Sequence, residues 1–364
     1  MPFVEPVHFD ILPDVLTALL PWYRMESEER ELPWRADVSP YHTWVSEIML
    51  QQTRAAAVIP YYERFLAVLP DIASLATCPE DALMKLWQGL GYYSRARNLQ
   101  KGARLVCAEY GGNLPADYAK LQSIPGIGSY TAGAIVSIAF GLPQPAVDGN
   151  MLRVLTRALA WSSDVLAAKT RTTLTRALAS LYPAGRDAGD LNQAFMDLGA
   201  TVCLPHGMPH CARCPLARLC LAHAQGAEQD YPKKKSKAKR RIETLTVLKL
   251  YTGRAFAIQK RPQKGLLAGL WELPHLPGTL SEPAIREELT RRGLRVETIA
   301  PLPPAKHIFS HVEWHMTAYE VHLNTDALRL AEVPAGGLRF ITPEQAAQKY
   351  SIPSAFQYFL HEIP

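Results

Sequence analysis

The chain reads as a multidomain protein: an all-α N-terminal part followed by a smaller α+β part. Three observations predict this division. Apolar residues recur with helical spacing through about Gln229, as with Ala132, Ile135, Val136 and Ala139. After the basic run Tyr231–Arg241 the pattern changes to strand-like alternation, in ETLTVLKLY and RAFAIQKRP. Near the end of the helical part, four cysteines (Cys203, Cys211, Cys214 and Cys220) fall within 18 residues. The expected boundaries are residues 1–229, a linker at 230–241, and 242–364. A helix–hairpin–helix element is expected at 121–141 and a cysteine loop at 203–220.

Composition narrows the classes. With 364 residues and 48% hydrophobic content, two or three domains with real cores are expected. A net charge of +5 and a pI near 8.8 are compatible with nucleic acid without demonstrating it. The opening MPFVEPVHFDILPD lacks the basic n-region of a signal peptide. Six cysteines in a chain this long do not suggest a secreted disulfide scaffold; their clustering fits a reducing compartment and a metal or cluster site. Cys78 and Cys107 are expected to be small buried residues.

In chain order, Ile11–Arg30 reads as a first helix and Leu32-Pro33-Trp34-Arg35 as a connection. Ser39-Pro40 is a helix start, and the helix is expected to run unbroken through YHTWVSEIMLQQTRAAAVIPYYERF. Val45, Ile48 and Met49 face a core. Glu47 stands opposite, where a lone carboxylate is ordinarily solvated. Leu83–Cys107 is a second helical pair. Between its helices Gly89 and Gly91 permit a tight turn, and Tyr92 and Tyr93 stand beside Arg95 and Arg97. These four fit a packed aromatic pair with a solvated basic face. They equally fit an aromatic that enters a base stack while arginines meet phosphates.

The stretch LQSIPGIGSYTAGAIVSIAFGLPQPAVDGNM organises the helical part. Gly126 and Gly128 allow a hairpin whose N–H groups, with those of the following helix N-terminus, suit one phosphate. Asp148 opens the next helix and, alone, would be an N-cap. The run Leu121–Val147 carries no charge, but its three prolines and four glycines argue against a membrane span.

IPGIGSYTAGAI followed by AVDGNMLRVLTR resembles the helix-hairpin-helix element of base-excision DNA glycosylases, and within them the MutY-type adenine DNA glycosylases. The likeness covers nearly the whole chain. SEIMLQQT matches the motif whose Glu is the catalytic acid, which implies Glu47 as general acid and base and Gln52 as a wedge in the base stack. GLGYYSRARNL implies Tyr92 as an intercalating tyrosine. Asp148 would stabilise an oxocarbenium-like sugar or trap it, with Tyr130 and Asn150 positioning these groups. Endonuclease-III-like relatives carry a Schiff-base lysine where this chain has Tyr130, so simple hydrolysis is implied over coupled strand cleavage.

Cysteine spacing alone permits zinc or an iron–sulfur cluster; the resemblance implies [4Fe–4S] on Cys203, Cys211, Cys214 and Cys220. Seven residues separate the first two cysteines where the family usually has six. His206 and His210 are nearby alternative ligands. The C-terminal part resembles the MutT (Nudix) fold. Its magnesium-binding glutamates are reduced to Glu287 and Glu288, with Thr290, Arg291 and Gly278 at the other positions, which implies binding rather than hydrolysis. KHIFSH matches the loop that checks for 8-oxoguanine, which implies recognition by Ser310 flanked by Phe309 and His311.

The resemblance therefore implies a monofunctional adenine DNA glycosylase acting as a monomer on double-stranded DNA with A:8-oxoguanine or A:G mispairs. It would act in a bacterial-type cytoplasm, without a membrane. A bifunctional glycosylase/lyase and a non-catalytic DNA-binding relative are the alternatives.

Overall fold

The computed structural model describes residues 7–234, 240–324 and 337–360. Lys235, Ser236, Lys237, Ala238 and Lys239 of the expected basic linker lie outside the described residues. The chain divides into two units, Met1–Thr77 with Arg97–Ser236, and Cys78–Ala96 with Lys237–Pro364.

The helices are α1 (Leu12–Glu29), α2 (Pro33–Ala36), α3 (Pro40–Leu50), α4 (Ala55–Val68), α5 (Ile72–Thr77), α6 (Glu80–Leu86) and α7 (Ser94–Tyr110). There follow α8 (Tyr118–Ser123), α9 (Ser129–Ile138), α10 (Gly149–Ala158), α11 (Ala168–Ala179), α12 (Arg186–Thr201), α13 (Leu221–Ala224), α14 (Glu282–Arg291), α15 (Pro343–Lys349) and α16 (Ser354–Gln357). The strands are β1 (Arg241–Thr252), β2 (Ala255–Lys260), β3 (Trp271–Glu272), β4 (His275–Pro277), β5 (Val296–Ile308), β6 (Val312–Leu323) and β7 (Leu338–Ile341).

In the first unit, α1, α10 and α12 close over Leu12, Leu19, Met151, Leu155, Phe195 and Leu198. Polar side chains start the helices that matter for the site. Ser39 accepts from the His42 N–H at 3.1 Å, Asp117 from Lys120 at 2.9 Å, and Asp148 from Met151 at 2.7 Å. The hairpin between α8 and α9 depends on Gly126. Its φ is +85°, and a Cβ there would stand 2.8 Å from the Cβ of Asn98.

One expected helix is two. The run from Tyr41 breaks after Leu50, and α4 begins at Ala55; Gln52, in the break, takes a left-handed φ of +56°. Glu47 also departs from expectation, being 4% exposed. Helix α9 packs against α3, and of Tyr41–Met49 only His42 escapes burial.

In the second unit, β3-β2-β1-β6-β5 form a mixed sheet, with β4 added beside β1 and β7 beside β2. Only the β1–β6 pairing is parallel among the described strands. Alternation divides β1, β2, β6 and β7 between two cores. Val247, Phe256, Ile258, Trp314 and Met316 face Phe356; Leu248, Leu250, Ala257 and Val321 face Ile285 and Leu289 of α14. Strand β5 was not legible in the sequence because it holds Pro301, Pro303 and Pro304. It lies at the sheet edge, where missing N–H donors are tolerated, and its register shifts between Leu302 and Ala305.

The segment Cys78–Ala96 groups with the second unit, which the sequence division did not anticipate. Lys85 Nζ donates to the carbonyls of Ala346 (3.4 Å) and Tyr350 (3.3 Å), and Gln88 to Ile352 (3.3 Å). Cys78 is buried as expected, while Cys107 is only half-buried.

Gly102 of α7 offers a test of packing against propensity. A Cβ there would lie 2.8 Å from Trp44 and 2.9 Å from both Ile124 and the Pro125 carbonyl. Helix propensity alone favours Gly102→Ala by about 1 kcal/mol. We expect overpacking to win, with a net loss of about 1–3 kcal/mol, read as a lower melting temperature; a higher one would refute the packing account.

Candidate active site

Two carboxyl groups and a tyrosine form the first cluster. Helix α3 carries Glu47 inward, and the first turn of α9 brings Tyr130 to it; the phenol donates to Glu47 Oε2 at 2.5 Å. Burial pushes the Glu47 carboxyl up to about 7, helped by the charge of Asp148 and opposed by the Tyr130 hydrogen bond and Arg35. A carboxyl so placed is substantially protonated at neutral pH. Burial and the neighbouring Glu47 and Asp148 charges hold the Tyr130 phenol well above its usual range.

Asp148 caps α10. Its Oδ1 accepts the Met151 N–H at 2.7 Å and its Oδ2 accepts from Asn150 Nδ2 at 2.8 Å. Burial raises its pKa, while the Met151 and Asn150 donors and Arg153 favour its charged form. The contacts continue outward. Arg153 Nη2 donates to Asn150 Oδ1 (3.0 Å) and to the Gly199 carbonyl (2.7 Å), and its Nε to the Cys203 carbonyl (2.8 Å). Gly199 leaves room for this path, since a Cβ there would stand 2.6 Å from the Asn150 Cβ. An unbroken chain of bonds thus joins Asp148 to the first cysteine of the loop.

Cys203, Cys211, Cys214 and Cys220 line one cavity with Arg157, His223 and Glu228. Burial drives the Cys211 thiol up to about 11 and the Cys214 thiol to about 12, and raises Cys220; neighbouring thiols add to each. Four thiols around one cavity have the chemistry to serve a cationic centre, which would hold them as thiolates. Arg157 Nη1 donates to Cys203 Sγ at 3.2 Å. His206 and His210 are exposed and do not line the cavity. Among the described residues, the group with ligand atoms within 4.8 Å of one another is Cys211, His223 and Glu228.

Gln52 is exposed in the break after α3, and Gly126 and Gly128 are exposed in the hairpin. In the second unit Tyr92 projects from the turn between α6 and α7, 46% exposed. Its hydroxyl lies 3.0 Å from Ser310 Oγ. Ser310 and His311 are exposed in the turn between β5 and β6, whereas Phe309 is half-buried against Trp314, at 4.8 Å between ring centres. The tyrosine pair separates, since Tyr93 is buried. Arg95 also turns inward, leaving no solvated basic face at that position.

Sequence reasoning missed Arg153 and the role of Arg35. Arg153 was discoverable as the residue one turn beyond Asn150 on the same helix face. Arg35 was not: its guanidinium meets the buried Asp197 at 2.8 Å, and only the fold brings it near Glu47.

Residues 45–180 match the family model for HhH-GPD superfamily base excision DNA repair proteins, and residues 246–362 match that for the NUDIX domain. The chain is 35% identical to the human adenine DNA glycosylase, over 95% of this chain and 74% of that protein. It is 33% identical to the adenine DNA glycosylase of Buchnera aphidicola (strain Bp), over 84% of this chain and 85% of that one. Among solved structures, a thermostable thymine-DNA glycosylase superposes with a TM-score of 0.52 at 28% identity, over 58% of this chain and 95% of that one.

The raised Glu47 pKa carries a stability signature. Unfolded, the carboxyl titrates near 4.5; folded, near 7. Below the lower value both states are protonated, and the group costs nothing. As pH rises through the window the unfolded state releases its proton first, so stability falls by up to about 3 kcal/mol above the upper value. We expect Glu47→Gln to raise the melting temperature more at pH 8 than at pH 4.5. An equal change at both values would contradict the assignment.

Proposed function

The chain belongs to the adenine DNA glycosylase family, hydrolases of N-glycosidic bonds in base excision repair, and from that premise we propose that it is a monofunctional enzyme removing adenine mispaired with 8-oxoguanine or guanine. The observation that carries this reading is the buried Glu47 carboxyl, shifted to about 7, beside a second carboxylate supplied with N–H donors.

A base within a duplex cannot be reached, so adenine is flipped out, at a cost of roughly a few kcal/mol. The exposed hairpin at Gly126 and Gly128, with the first N–H groups of α9, holds a backbone phosphate. Gln52 and Tyr92 fill the disturbed stack, while Ser310, flanked by Phe309 and His311, reads the oxidised base on the opposite strand. Glu47 gives its proton to adenine N7, which makes the base a better leaving group. Asp148 stays ionised and stabilises positive charge on the sugar, in the two-acid logic of glycoside hydrolysis. Asn150 and the capping N–H hold its oxygens; Tyr130 orients Glu47. Glu47, now a carboxylate, accepts the proton of the attacking water. Tyrosine forms no imine, so Tyr130 supports hydrolysis without strand cleavage.

Cys203, Cys211, Cys214 and Cys220 would hold a [4Fe–4S] cluster. All four line one cavity, and the likeness to the glycosylase superfamily favours a cluster there over zinc. When bound, it supplies one-electron redox chemistry and cross-links the loop. No helix among the described residues is long and apolar enough to cross a membrane. The reading takes the protein to work as a monomer on nucleoid DNA in the cytoplasm.

The test is single-turnover adenine release from a duplex with one adenine opposite 8-oxoguanine. We expect hydrolysis that breaks the strand only after alkali, no product trapped by borohydride, and a loss of at least about 10²–10⁴-fold in Glu47→Gln. An imine trapped with borohydride would overturn the monofunctional reading. Separately, Cys214→Ser should lower bound iron and the visible charge-transfer absorbance of the purified protein; full iron content in that variant would remove Cys214 from the ligand set.

A further inference from the structure

Tyr92 stands in an unusual turn. Gly89, Gly91 and Tyr92 all have positive φ, at +99°, +75° and +48°. Left-handed backbone is free for glycine but costs a tyrosine about 1 kcal/mol or more, and the ring is left 46% exposed. Something else must hold it.

Arg95 does so from beneath. It is 8% exposed. Its guanidinium carbon lies 5.4 Å from the Tyr92 ring centre and 5.5 Å from that of fully buried Trp87. Its Nη2 donates to the carbonyls of Leu90 (3.2 Å) and Gly91 (3.1 Å), the two residues before Tyr92. Trp87 Nε1 donates to the same Gly91 carbonyl at 3.1 Å. Burial lowers the Arg95 pKa to about 10, which leaves it charged at neutral pH.

We propose that Arg95 is a positioning residue: with Trp87 it fixes the turn and presents the Tyr92 ring, already ordered, to the DNA base stack. The inference rests on the reading that Tyr92 enters the duplex. Of the two readings open for this arginine it takes the packed one over the phosphate contact, since Nη2 is turned to two backbone carbonyls within the fold. An aromatic ordered before binding loses less rotamer freedom on insertion. The planar guanidinium matters as much as the charge, because it lies against the Tyr92 and Trp87 rings while its Nη2 holds the two carbonyls, a combination that the point charge of a lysine does not reproduce.

The experiment uses the full chain with its cluster, in Arg95→Met, Arg95→Lys and Tyr92→Leu. The duplex carries 2-aminopurine beside 8-oxoguanine, and its fluorescence reports local unstacking. Single-turnover release from A:8-oxoguanine and A:G duplexes gives the discrimination ratio. We expect Tyr92→Leu to suppress the fluorescence rise and to lower the ratio about tenfold, and both Arg95 variants to lose at least about fivefold, with Lys failing to rescue. If Tyr92→Leu behaves as wild type, the reading of Tyr92 fails, and this proposal with it. If Tyr92→Leu is impaired but Arg95→Met is not, only the role of Arg95 is overturned. A loss in the Arg95 variants that is equal on both duplexes, with a normal fluorescence rise, shows general destabilisation and also overturns it. Should Arg95→Met fail to fold, Arg95→Lys alone decides between these outcomes.

Discussion

The short hydrogen bond from the Tyr130 hydroxyl to Glu47 is the contact on which the site depends. It exists because α3 and α9 pack together and drive a carboxyl out of water. Burying an ionised carboxylate is costly, and the carboxyl responds by holding its proton to higher pH. The phenol cannot donate its own proton away under the same burial, so it remains a hydrogen-bond donor. One packing event thereby raises the proton affinity of the carboxyl and supplies the group that orients it.

The second carboxyl meets the same burial with more hydrogen-bond partners. Asp148 is also removed from water, yet it sits at a helix N-terminus with two N–H donors on its oxygens. Those donors are themselves held. Asn150 is fixed by Arg153, and Arg153 by carbonyls of Gly199 and Cys203. The geometry of the acidic pair is therefore continuous with the cysteine loop, and Arg157 joins that loop to the Tyr231 carbonyl at 3.0 Å. A disturbance of the loop reaches Asp148 through backbone and amide bonds rather than through charge at a distance.

The second unit matches the NUDIX domain in sequence and builds a mixed sheet with a helix packed on it. Its sheet alternates between two cores, and α14 packs Ile285 and Leu289 against one of them. The exposed side of α14 carries Arg286, Glu287, Thr290 and Arg291 around a shallow, open depression, not the ring of carboxylates that a magnesium ion needs. What the unit offers instead is Tyr92 and Ser310, brought within hydrogen-bond distance from positions 218 residues apart.

The sequence by itself determined the elements with local causes. Ser39 and Asp148 mark helix starts because a side-chain oxygen satisfies a nearby N–H. Gly126 marks a turn because no other residue takes its backbone freely, and the Gly253 hairpin follows from the alternation on either side. Four cysteines in 18 residues suggested a common site, and they line one cavity. Tertiary structure decided what depends on neighbours distant in sequence. Glu47 looks like a surface residue on an isolated α3 and is buried only because α9 covers it. Arg95 and Arg97 read alike as basic residues, yet Arg95 turns inward because Trp87 and two carbonyls wait there. Strand β5 hides behind its prolines because edge position, not composition, tolerates them. Burial and partner choice are properties of the assembled chain, and the chemistry of a carboxyl or a guanidinium follows from them.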